Sequence, residues 1–235
     1  MAARYATRKN QLLQACQVAP EIFHQVMARV HTFMDPLVAI FPTQALTQQA
    51  RTSVSGLLSD VERQNVASIA SRFGQERLPL PRFIGWADWE DTPLRPALMH
   101  QVAHHVGPED GVLVFAPSAC ATSGPASVGV ARQWGGRLGK VDHGHVAISL
   151  GYGSATGHTL VDLRRYLPKA WTQEQARLDQ AGVPQARRGS RTRHQLALAL
   201  RAPDGPALPH GWMAGDDEMG RPEWLRRRLA PLGER

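Results

Sequence analysis

A chain of 235 residues, 43% hydrophobic and 20% charged, has room for one large domain or for a small helical unit beside a medium α/β one, and either can bury a core without staples. Its two cysteines, Cys16 and Cys120, lie far apart without zinc-type spacing, which excludes disulfide scaffolds and zinc ribbons and reads as reduced packing residues in a cytoplasmic protein. Lysine and arginine outnumber aspartate and glutamate by 27 to 20, almost all of it arginine, whose planar fork suits phosphate and points to a polyanionic partner; no run of apolar residues is long enough for a membrane span, and the start lacks a secretory apolar stretch.

Residues 1–76 read as a helical amino-terminal region and a candidate DNA-binding unit. Leu12, Leu13 and Cys16, then Ile22, Val26, Met27 and Val30, recur at helical spacing between Pro20, Pro36 and Pro42. Ser59 or Asp60 is placed to cap a helix carrying Val61, Val66, Ile69, Ala70 and Phe73, with Gly74 as its stop. Arg63, Gln64, Asn65 and Arg72 leave that helix as a polar face, which suits either DNA or water, and Arg63 and Asn65 are the candidates for base recognition.

Residues 77–110 form a linker and a helix. Leu78-Pro79-Leu80-Pro81 separates the two parts, Thr92 and Pro93 open a helix over 92–106, and Gly107-Pro108 closes it. His100 and His104 stand four apart on it, but no zinc-protease glutamate lies between them.

From Gly111 the pattern turns extended. Val112 to Phe115 is a continuous apolar run, hence a buried strand; residues 127–134 and 141–152 read as the next two, and 212–215 as a fourth. A charged segment around Asp162 to Arg165, a helix over 171–181, a loop with Arg187, Arg188, Arg191 and Arg193, and a helix over 194–201 lie between; Pro222 opens a last helix through Leu229. The fourth strand runs into Asp216-Asp217-Glu218, and carboxylates at a strand end are a common means of holding Mg²⁺. The first strand ends instead in Ala116, with no carboxylate before Asp142. His143 and His145 share a strand face, where packing or solvent contact accounts for them as well as a site does.

The blocks Ser127-Val128-Gly129-Val130-Ala131-Arg132-Gln133-Trp134, Gly139-Lys140-Val141, Leu160-Val161-Asp162, Tyr166-Leu167-Pro168-Lys169-Ala170-Trp171, Ala181-Gly182-Val183-Pro184 and Ala214-Gly215-Asp216-Asp217-Glu218-Met219-Gly220-Arg221 together resemble the DDE-type insertion-sequence transposases. Asn65-Val66-Ala67-Ser68-Ile69-Ala70 and Phe83-Ile84-Gly85-Trp86 are similar to the family's amino-terminal portion, so the resemblance spans roughly residues 50–235. It implies a ribonuclease H-like α/β core: a three-stranded antiparallel meander plus a further strand with flanking helices, here a partial DDE domain over 111–235.

In that family three carboxylates hold two Mg²⁺ ions for phosphodiester hydrolysis and strand transfer. Asp216 matches the second aspartate. Ala116 stands where the first belongs, in Ala116-Pro117-Ser118, and the third would lie beyond another strand, past Arg235. The resemblance therefore implies a transposase-derived DNA-binding protein that is catalytically inactive as it stands. Arg132, Arg137, Lys140, Arg187, Arg188, Arg191 and Arg193 are the phosphate-contact candidates, and a second copy or a partner transposase chain is the expected protein partner. Two alternatives stand beside this reading: a metal-dependent DNA transposase or endonuclease subunit inactivated at position 116, and a protein-interaction module.

Overall fold

Residues 25–76, 78–107, 110–122, 124, 126–136, 139–201 and 208–229 are described by a computed structural model. The chain divides into two units, Met1–Asp91 and Thr92–Arg235. The expected helix at Leu12, Leu13 and Cys16 lies outside the described residues.

The first unit is built of helices α1 (Val26–Val38), α2 (Gln44–Leu57), α3 (Val66–Arg72) and α4 (Pro79–Gly85). Met34, Val38, Ala50, Ile69, Ala70, Leu80 and Phe83 form its core. A methyl group at Gly56 would stand 2.2 Å from Ile69 Cγ2, so this glycine is what lets α2 and α3 approach. Helix α3 starts later than Ser59 or Asp60 would have it. Asn65, in extended backbone, takes the Ser68 amide on its side-chain oxygen at 2.9 Å and is the cap, while Ser59 bonds back to the Gly56 carbonyl at 2.7 Å and closes α2 instead. The expected stop holds: Gly74 has φ +63°, the left-handed conformation that ends helices.

The second unit opens with α5 (Leu94–Val106), followed by strands β1 (Val112–Ala121), β2 (Ala131–Gly135), β3 (Lys140–Gly153) and β4 (His158–Arg165). Short helices α6 (Lys169–Thr172) and α7 (Gln175–Gln180), then α8 (Arg193–Arg201), β5 (Trp212–Gly215), α9 (Asp217–Gly220) and α10 (Glu223–Leu229) complete it. Strand β3 is the spine: it pairs antiparallel with β1, β2 and β4, and β1 in turn pairs parallel with β5.

Three expectations change. The strand expected at 127–134 begins only at Ala131, because Gly129 at φ +80° turns the chain and Val130 donates back to the Ser127 carbonyl. The segment around Asp162 to Arg165 is not a connector but β4, so the three long antiparallel strands are β1, β3 and β4, with β2 added as a hairpin on β3. The helix expected over 171–181 is two, broken at Glu174, whose φ −108° and ψ 86° are not helical.

Alternation along the strands sorts the side chains. Leu113, Phe115, Val146, Ile148, Leu150 and Tyr152 point to one face, where Met99 and Val102 of α5 and Leu196, Ala197 and Leu200 of α8 cover them. Beneath these helices Arg95 Nε meets Asp162 Oδ2 at 2.9 Å, with side chains only 10% and 15% exposed; Arg95 also donates to the Leu200 carbonyl. That pair explains how an acid sits on the covered face of an otherwise largely exposed edge strand: the charge is matched beneath the helices. Pro117 within β1 is tolerated because β5 pairs only with residues 112–115 and leaves no ladder partner beyond.

Candidate functional site

The parallel register of β1 and β5 sets Val112 against Trp212 and Phe115 against Gly215. The residues that follow this last pair are Ala116, within β1, and Asp216, just past β5, so these two stand beside each other where the parallel ladder ends. Parallel neighbours are about 4.8 Å apart, a spacing at which two carboxylates could grip one cation between them. Only one carboxylate is there. Ala116 contributes a methyl group, and its carbonyl accepts from Ser149 Oγ at 2.7 Å.

Asp216 has a structural task. It is exposed and in extended backbone, and its Oδ1 accepts the Met219 amide at 2.9 Å, capping α9. The residues that follow are also engaged. Asp217 pairs with Arg221 one turn on. Both Glu218 oxygens take bonds from Arg193 Nη1, at 2.9 and 3.1 Å, and His194 Nε2 lies 2.9 Å from the Glu218 carbonyl. Arg193 further donates through Nη2 to the Trp134 carbonyl at 3.3 Å and lies 5.3 Å over the Tyr166 ring. A single guanidinium thus ties the β2 edge, the start of α8 and the segment after Asp216.

A divalent ion such as Mg²⁺ needs several oxygen ligands in a near-octahedral shell. The described residues supply Asp216 alone at the strand ends, with one oxygen already on an amide, and no group of three or more His, Cys, Asp or Glu side chains among them could hold a metal ion. The residues present do not fit the metal.

The basic candidates separate by their partners. Arg132, Arg187 and Arg191 are exposed. Lys140 is exposed but holds Asp142 at 2.8 Å, and that hydrogen bond, then the His143 amide, keeps the Asp142 carboxyl below its ordinary range. Arg188 bonds the Val183 carbonyl at 2.7 Å and pairs with Asp179, and Arg193 serves Glu218, so both guanidiniums are built into the fold. Arg137 lies outside the described residues. In the first unit Arg63 is exposed in the turn before α3 rather than on a helical face, and the Asn65 side chain is spent on its cap. His143 and His145 both turn toward residue 122: His143 Nδ1 lies 2.9 Å from the Thr122 carbonyl and His145 Nδ1 3.4 Å from its hydroxyl.

Glu218 proves to be the anchor for Arg193. No sequence signal links residues 25 positions apart, since ion pairs across a fold carry no period.

A family model described as DDE superfamily endonuclease matches residues 36–234. Neither the curated proteins nor the solved structures contain a match.

Proposed function

Because the chain belongs to the DDE superfamily of endonucleases, we propose that it binds DNA through its basic surface while its own strand-end site no longer supports phosphodiester chemistry. Endonucleases of this family typically use divalent metals such as Mg²⁺, which activate the attacking oxygen and stabilise the leaving one. The observation that carries the proposal is that Ala116 and Asp216 directly follow Phe115 and Gly215, the last pair of the parallel ladder between β1 and β5. The position is kept and the ligand is gone.

The fold that underlies this reading is a ribonuclease H-like core. Its support is the sheet itself: long antiparallel strands β4, β3 and β1 in that order, with β5 parallel to β1. DNA would be held by phosphate contacts from Arg132, Arg187 and Arg191, exposed guanidiniums on the same unit as the strand ends, with Lys140 beside them. Such contacts position the duplex without reading its sequence. Arg63 and Asn65 remain the proposed base-reading pair, with the qualification that Asn65 must also hold α3.

The test is a gel-shift titration over a salt series, run beside a Mg²⁺ and Mn²⁺ nicking assay on the chain and its Ala116→Asp variant. Binding that weakens steeply with salt, with no nicking by the unaltered chain, is the expected result. Nicking by the unaltered chain, or no binding at low salt, overturns it. Nicking by Ala116→Asp alone identifies an enzyme disabled at that one position.

A further inference from the structure

Trp134 is half exposed, at 50% of its surface, although it sits within the ladder of β2. Its cross-strand neighbour Val141 is 51% exposed, so the hairpin presents an indole and an aliphatic side chain to solvent together. Directly opposed pairs steady each other's rotamers, which holds the ring as a standing surface rather than a swinging one. The register Trp134↔Val141 and Arg132↔His143 puts these four residues on one face, while Gln133↔Asp142 and Gly135↔Lys140 take the other. The acid of the hairpin, already paired with Lys140, therefore points away from the indole, and the exposed guanidinium of Arg132 shares its face.

Two residues of strand separate Arg132 from Trp134, about 7 Å. A nucleotide of that reach can lay its base on the indole and bring its phosphate to the guanidinium. The carbonyl of the same Trp134 is held by Arg193, which also grips Glu218 just beyond Asp216. The hairpin is thereby moored beside the strand ends on which the DNA reading rests. An aromatic face flanked by a cation accepts unpaired bases, because every base offers a π-face once it leaves its stack, whereas paired bases within a duplex do not.

We propose that Trp134, with Arg132, forms a stacking platform for an unpaired base, so that the DNA this protein prefers carries a single-stranded end. This deepens the DNA-binding reading and rests on it. Fluorescence anisotropy with the full chain, at one fixed low salt concentration, compares a labelled blunt duplex with the same duplex bearing a short single-stranded overhang. The overhang should bind roughly 5- to 150-fold tighter, the range for stacking one base on an aromatic ring. Trp134→Ala should abolish that preference and leave blunt-duplex affinity unchanged, and Trp134→Phe should keep most of the preference. A Trp134→Ala chain that still prefers the overhang overturns the platform. Equal binding of both probes by the unaltered chain also overturns it, leaving DNA binding intact and the indole as a surface for a protein. Failure to bind either probe removes the platform and the DNA reading together.

Discussion

The two faces of the β-sheet in the second unit are built to different standards. On one, Val146, Ile148, Leu150 and Tyr152 are at most 1% exposed beneath α5 and α8, and an arginine–aspartate pair is sealed in with them. On the other, Val114, Leu160, Leu163 and Trp212 stand 36% to 55% exposed, and Ala147 and Ser149 are buried by being small at the sheet's centre. The contrast teaches where stability resides. The covered face carries the free energy of folding, since apolar area removed from water is its main favourable source.

The largest expected effect breaks the covered face. Asp162→Ala leaves Arg95 charged and unpaired in the core and should cost about 3–5 kcal/mol of unfolding free energy in urea titration. Leu163→Ala, the next residue on the same strand but on the open face, should change it by less than about 0.5 kcal/mol. Equal losses at the two positions would end the comparison.

A middle effect concerns the strand end. Asp216→Ala removes the cap of α9 and should cost about 1 kcal/mol, read from the same titration. A cost near zero would mean that Asp216 is kept for something other than the fold.

The smallest effect lies away from the sheet and sharpens the argument with pH. The hydrogen bond from Arg188 holds the Asp179 carboxyl below its ordinary value of 3.8, against a raising contribution from burial. A carboxyl lowered in the folded state adds stability above its unfolded pKa, and that contribution is lost as pH falls through the folded value. Asp179→Asn should therefore lower the urea midpoint slightly at neutral pH and not at all well below pH 3.8. A difference that persists in acid would assign the effect to packing.

What could be read before the structure follows from where the signals are local. The helix opened by Thr92 and Pro93, the fourth strand at residues 212–215, the helix after Pro222 and the stop at Gly74 each depend on neighbouring residues, and each is found there or within two residues. Strand β4 was hidden because Asp162, Arg164 and Arg165 give it the composition of a solvated segment. The inward placement of Asp162 depends on Arg95, which is 67 positions away and invisible to any window. Asn65 was legible as a polar residue but not as the cap, since Ser59 and Asp60 carry the same chemistry and only the backbone chooses among them. At the end of the parallel ladder, Ala116 and Asp216 were singled out by resemblance. Their adjacency needed the register of β1 and β5, and the Arg193–Glu218 tie needed the whole fold.

Strand β3 runs longer than the sheet that supports it. Residues 144–153 are laddered to β1, and 147–153 also to β4; His143 still takes the Thr122 amide on its carbonyl, but residues 140–142 have β2 alone as ladder partner. A two-stranded ribbon is marginal by itself, so the amides of β2 and of residues 140–142 should exchange with solvent by local opening well before those at 146–152. The tie from Arg193 to the Trp134 carbonyl therefore supplies what the ladder lacks, and at Gly144, where a β-carbon would stand 2.2 Å from the Cys120 carbonyl oxygen, β3 packs closely against β1.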